Sequence, residues 1–321
     1  MITILLIILA IVLAYVCVSH VVRAVGYRLA RGRSFRKLAH RGKVSPEVAA
    51  SADEVILDRQ RRRSARKSHD PAYANLKTKA RPKLSAEQVQ VLREARREVR
   101  DEWLDQMTPG LYHYVIIFTV ASIAGLILEM VWMFVSSGRT ELRVGLVWGP
   151  FSPIYGCGAC LLTMVLWRFR TASNLHIFVV SALLGGGLEQ TGGMVMENLF
   201  HAQSWTYLGL PDAITQWIAW RFLFAWGVLG LVWCRIVMPE VIYRIGEPTN
   251  RMQVVFVTIM MAFLVLDVLM TFLCFYRKTE RDAGVPAQNA IESYIDWRYN
   301  DQFIAGRFQN LVIGEDLEPN K

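Results

Sequence analysis

Six apolar runs dominate this sequence: residues 2–22, 111–135, 146–167, 175–200, 214–239 and 254–276. Each is close to the ~20 residues that carry a helix across a hydrocarbon core ~30 Å thick. Lipid offers no partner to backbone N–H and C=O groups, so the helix, which bonds them internally, is the economical spanning form. No alternating strand pattern points to a barrel. The sequence therefore predicts an all-α, polytopic helical membrane protein of about six transmembrane helices. An N-terminal anchor (1–22), a basic segment (23–108), a five-helix core (109–276) and a tail (277–321) follow in order.

The first run differs from a secretory signal. It has no charged residues ahead of it, its apolar stretch is longer than such signals use, and the basic residues come after it. It reads as a retained anchor with its N-terminus outside. Residues 23–108 hold 22 of the 36 Lys+Arg, and the positive-inside rule keeps them in the cytoplasm. Loops 168–174 and 235–251 carry arginines and fall inside, whereas 199–213 has no Lys or Arg and falls outside. Six crossings return the tail to the outside. Arg139 and Arg143 in an outer loop, and Arg277, Lys278 and Arg281 at the start of the tail, run against this orientation.

The net charge of +9 is local, because residues 23–108 carry 22 basic against 11 acidic residues. A basic segment beside an anchor is expected to lie on anionic lipid headgroups, at ~1 kcal/mol per well-placed cation. The cluster RQRRRSARK at 59–67 has no interleaved aromatic platform, so nucleic acid is not the expected partner. Most of 23–82 lacks a sustained apolar period and reads as a flexible linker with short helices. From Leu84 an amphipathic helix is expected at about 85–105, capped by Ser85, with Val89, Leu92 and Val99 near one stripe.

From Gly149 the third run reads GPFSPIYGCGACLLTMVLWRF. Pro150 and Pro153 cannot donate backbone hydrogen bonds, and Gly149 and Gly156 permit close approach, so the helix containing Tyr155 is expected to start late or to break near Pro153. Irregular backbone at membrane depth lines a cavity or packs on protein. The alternative is a loop at the outer interface that enters a normal helix at Ile154.

Ionisable residues inside apolar runs are costly and face a bundle interior or a water-filled path. Glu189 and Glu197 are eight residues apart, a little over two turns, so they share a face. Glu129, Arg221 and Asp267 add further candidates, and Arg221 is expected to neutralise one or more of the three glutamates. The alternative is that these groups only hold the helices in register. Trp205, Tyr207, Trp217, Trp220 and Trp226 read mainly as an interfacial belt, with Trp205 and Tyr207 alternatively closing over a site below. Cys157 and Cys160 form a C-x-x-C with no second pair or paired His, which reads as helix packing and leaves no metal or cofactor site in view. No phosphate loop, H-E-x-x-H or G-x-S-x-G occurs, so no standard ATPase or hydrolase signature is present.

GLILE at 125–129, VGLVWGPFSPIYGCGA at 144–159, LEQTGGMVMENLF at 188–200, WTY at 205–207 and AWGVLG at 225–230 together resemble a bacterial membrane family described as putative ABC-transporter type IV, or ABC transporter permease. The resemblance covers about 111–247. The chain departs from the family pattern at Val144, at Thr206 and in the register of Arg221. The resemblance implies a permease in the bacterial inner membrane, with no defined substrate to carry over.

Three function classes follow. The first is a permease-like subunit for a small solute, with Glu129, Glu189 and Glu197 lining a polar path. A separate ATPase would supply its energy, since this chain has no phosphate loop; proton or ion coupling through the glutamates fits equally well. The second is a structural or regulatory membrane protein whose basic segment binds headgroups or a partner. The third is an intramembrane enzyme using Glu189 or Glu197 as acid or base, for which no nucleophile or metal cluster is evident.

Overall fold

The computed structural model describes residue 39 and residues 41–313; the expected anchor at 1–22 lies outside the described residues. The described chain divides into two units near Thr108.

The first unit is built from α1 (Pro46–Lys67), α2 (Ala72–Thr78) and α3 (Ala86–Gln106). Ser45 caps α1 by accepting the Val48 N–H, and Pro46 occupies the first helical position, where its missing donor costs nothing. Ser85 and Gln88 form a reciprocal capping box at the start of α3, at 2.9 and 3.1 Å. Ala49 and Ala52 of α1 pack with Leu92 and Ala95 of α3, and Lys43 bridges Glu98 and Glu102 at 2.6 and 2.7 Å. Arg62 pairs with Asp58 and reaches the Leu76 and Lys79 carbonyls at the end of α2. The stretch expected as a flexible linker thus holds a 22-residue helix. Its contact face is alanine, which packs closely but leaves almost no apolar period to read.

The second unit is the membrane core with the tail folded onto it. Three helices are long and apolar enough to cross a membrane: Leu111–Val135, Trp220–Ile245 and Arg251–Asp282. The first belongs to α4 (Leu111–Ser137); between it and the next come α5 (Pro153–Leu166) and the 27-residue α6 (Asn174–Phe200). Trp220–Ile245 comprises α7 (Trp220–Val232), a π-helical turn at Trp233–Val237 and α8 (Met238–Ile245). The widened turn sits just before Pro239, whose ring would otherwise press on the preceding turn. α9 (Arg251–Asp282) has 32 residues, so it rises about 48 Å and overshoots a ~30 Å core. Apolar side chains such as Phe134, Phe256, Ile259 and Leu266 stand exposed on these helices, as a lipid-facing surface requires.

The fifth run was placed at 214–239, yet its helix begins at Trp220. Residues 214–219 turn back on themselves, with the Ile214 N–H on the Ile218 carbonyl at 2.8 Å; hydropathy cannot distinguish such a turn from a first helical turn.

After α9 the chain forms α10 (Ala290–Arg298) and α11 (Asp301–Arg307), then β2 (Val312–Ile313), which pairs antiparallel with β1 (Ala202–Gln203) directly after α6. Phe275, Ile295, Ile304 and Phe308 pack with Leu126 of α4 and Val147 of the α4–α5 loop. The tail therefore lies at the end of the bundle where α4, α6 and α9 finish. Four of the five cations that opposed this orientation are paired. Arg277, fully buried, meets Glu280, Glu292 and Asp296; Arg281 meets Asp296 and Asp301; Lys278 meets Asp282. Arg143 lies between Glu129 and Glu141 at 3.6 and 3.5 Å.

Candidate functional site

Gly149 and Pro150 belong to an irregular segment that precedes α5, and Pro153 is the first residue of the helix. Most backbone donors of the segment have an acceptor from elsewhere in the fold. The N–H groups of Trp148 and Gly149 donate to the two oxygens of Asp267, each at 2.9 Å, and that of Val147 donates to the Thr271 hydroxyl at 2.9 Å. Gly145 and Ser152 donate to the Phe151 and Ser122 carbonyls. Arg307 of α11 donates to the Leu146 and Gly149 carbonyls at 3.0 and 2.7 Å. The helix starts late because a carboxylate midway along α9 supplies what a first helical turn would have supplied. Buried backbone freed from a helix needs such partners.

The three glutamates share one local design. Gly125, Gly185 and Gly193 each stand four residues before Glu129, Glu189 and Glu197, hence on the same helix face. A Cβ at any of these glycines would strike an aromatic ring: Tyr155 at Gly125, Trp226 at Gly185 and Trp217 at Gly193. Each ring then offers its polar atom to the glutamate one turn on. The Tyr155 hydroxyl faces Glu129, the Trp226 indole donates to Glu189 Oε1 at 3.0 Å, and the Trp217 indole donates to Glu197 Oε1 at 3.0 Å. The missing side chain at glycine makes room for the ring, and the ring brings a donor into the apolar bundle. Gly156 serves a different contact, lying against Ser122 and Phe118.

Glu189 and Glu197 differ in how fully they are satisfied. Glu197 also accepts from Gln203 at 2.7 Å and Gln216 at 2.8 Å, so both its oxygens are engaged. At Glu189 both donors, Trp226 and the Tyr207 hydroxyl at 3.4 Å, go to Oε1. Oε2 is buried without a hydrogen-bond partner, in a residue only 7% exposed. Tyr207 is held by stacking on Phe222, with ring centroids 4.4 Å apart, and by its N–H on the Gln216 carbonyl at 2.7 Å. Burial, and then the neighbouring Glu189, push the Tyr207 hydroxyl up, which keeps it a donor. The Trp205 indole N–H is buried without a partner, beside a narrow crevice lined by Glu197, Gln203 and Trp217.

Two expectations are corrected. Arg221 does not neutralise the glutamates: it pairs with Asp212 of the α6–α7 loop, Nη2 to Oδ1 at 2.6 Å and Nε to both oxygens at 2.9 Å. The Arg221 guanidinium holds the Asp212 carboxyl below its usual range. At the first residues of α7, this arginine meets a loop carboxylate before it could reach a neighbouring helix. Among the described residues, Glu129 is the one of the three glutamates paired with a cation, Arg143 at 3.6 Å. The aromatic belt is corrected too, since Trp217, Trp226 and Tyr207 turn inward to carboxylates while Trp220 remains exposed. Their indole and phenol donors are worth more on a buried oxygen than at a wet interface.

Asp212, Gln203, Gln216 and the donor roles of Tyr155, Trp217 and Trp226 were missed by sequence reasoning. One signal was present: G-x-x-x-E occurs at 125–129, 185–189 and 193–197. Cys157 is exposed and the Cys160 thiol meets the Tyr114 carbonyl at 3.4 Å. Among the described residues no group of three His, Cys, Asp or Glu could hold a metal ion.

Residues 116–272 match the family model described as putative ABC-transporter type IV. That segment belongs to this family. The match takes in all three glutamates and their glycines, and it extends beyond the resemblance read from the sequence, through Asp267 and Thr271 of α9. The matched segment therefore includes most of the helix that anchors the α4–α5 segment. No curated protein and no solved structure matches the chain significantly.

Proposed function

We propose that this chain is a permease-like integral membrane protein whose polar centre serves the passage of a small solute. The observation that carries the reading is the arrangement of Glu129, Tyr155, Tyr207, Glu189 and Trp226 inside an apolar bundle. Ionisable groups in such a place are expensive and are retained where a polar species must be met. The family description supports a transport role and, with it, a separate ATPase as partner. In this reading the chain crosses the bacterial inner membrane six times, the first time through the anchor. Residues 23–108 then face the cytoplasm, where their cations meet anionic headgroups, and the tail closes the outer end of the bundle.

A second reading, a structural or regulatory membrane protein, draws on a specific observation: Glu197 and Asp267 have both oxygens occupied by protein donors. One experiment separates the two. Tagged wild type and Glu189→Gln are purified side by side, and bound proteins and small molecules are identified by mass spectrometry. A retained ATPase, or a solute lost in the variant, supports transport; identical profiles containing only lipids support the structural reading.

A further inference from the structure

We infer that Glu189 is a reversible proton-binding site of the membrane core, with the proton on Oε2. The inference deepens the permease reading, on which it rests for its role as the coupling step. It stands on the asymmetry of the carboxyl. Trp226 and Tyr207 both donate to Oε1, while Oε2 is buried and partnerless. A bare carboxylate oxygen with no donor and no counter-ion is among the costliest groups to bury. Among the described residues no Lys, Arg or His forms an ion pair with Glu189, whereas Glu129 has Arg143 and Asp267 has two backbone donors.

The neighbours leave the same conclusion. From α4, Glu129 faces the cluster, with Arg143 of the following loop beside it; from α5 comes Tyr155; from the α6–α7 loop comes Tyr207. α7 contributes the Trp226 indole, and its one nearby cation, Arg221, is spent on Asp212. Asp267 of α9 is turned to the Trp148 and Gly149 N–H groups. No metal-binding group of three acidic, His or Cys residues stands among the described residues. The species this site takes is therefore a proton. On release, the O–H bond at Oε2 breaks and the proton passes to water. The pair of electrons stays on the carboxylate, and the Trp226 and Tyr207 donors are already in place to hold the charge. Tyr207, on the outer loop, is the one donor that a movement of that loop would withdraw.

The test is pH-difference infrared spectroscopy of the full-length protein in lipid nanodiscs, reading the C=O stretch of a protonated carboxyl. Wild type is expected to show a carboxylic-acid band that responds to pH, and Glu189→Gln to lose it. Tyr207→Phe provides a milder variant: it is expected to keep the band and shift its position, because one hydrogen bond to the C=O is removed. Glu197→Gln should leave the band in place. A band that survives Glu189→Gln, or a spectrum that responds to sodium at fixed pH and not to pH, overturns the assignment. The readout is independent of transport. If the band is absent while a solute is lost in Glu189→Gln, the proton site fails and the permease reading stands; if the band titrates with no bound solute or ATPase, the reverse holds.

Discussion

Asp267, midway along α9, accepts the N–H groups of Trp148 and Gly149 with its two oxygens at 2.9 Å each. The carboxylate thereby takes the place of a helical turn for the residues just ahead of α5. Asp267→Ala strands both donors in a buried site, at a cost of about 3 kcal/mol. Asp267→Asn, which keeps one acceptor and offers an N–H to the other donor, should cost a comparable share. Thermal unfolding of the purified protein in detergent checks this: an unchanged midpoint in the alanine variant would show that the segment is held some other way.

The glycine that seats Trp226 should not accept a side chain. A Cβ at Gly185 runs into the indole ring, whereas one at Gly187 meets nothing. Gly185→Leu is therefore expected to destabilise by at least about 1–3 kcal/mol, and to move the emission of the displaced tryptophan. Gly187→Ala should leave stability equal or slightly higher. Equal behaviour of the two variants would mean that the ring is not seated on Gly185.

Docking of the tail should weaken in acid. The Arg277 guanidinium, followed by Arg281, holds the Asp296 carboxyl below its ordinary value. A carboxyl depressed in the folded state contributes stability that is present above its unfolded value, near ~4, and that is lost as pH falls through the folded value. Hydrogen exchange of residues 283–313 should thus rise at low pH in wild type. In Asp296→Asn it should already be raised at neutral pH, with little further response in acid. A tail equally protected in both proteins at neutral pH would remove Asp296 from the docking.

The short sheet offers a direct check on where the tail lies. Gln203 and Val312 are paired in register, within the reach of a disulfide. Gln203→Cys with Val312→Cys should cross-link on mild oxidation, giving a linked peptide by mass spectrometry. Placing the second cysteine at Glu280 should give none. Failure of the first pair would detach the tail from the end of α6.

The sequence alone determined the helical membrane class, because a run of some twenty apolar residues has one economical way to satisfy its backbone in lipid. It also marked Glu129, Glu189 and Glu197, since charge inside such runs is conspicuous, and it placed the late start of α5 near Pro153 from chemistry local to two prolines. Ser85 was legible for the same reason: a cap lies three residues from what it caps.

What remained for the tertiary structure was pairing over long stretches of chain. Asp267 meets a loop 118 residues earlier and Glu189 meets an indole 37 residues later, and hydropathy carries no record of which helices adjoin. Arg221 illustrates this: an arginine at the start of an apolar run is placed by sequence to be the counter-charge of the centre, but a loop carboxylate nine residues away takes it. The helix at 46–67 escaped notice because alanine contacts stabilise by closeness, not by apolar area. The tail, too polar to read as part of a membrane core, is held there by ion pairs that satisfy its charges from within, and only the folded chain brings those partners together.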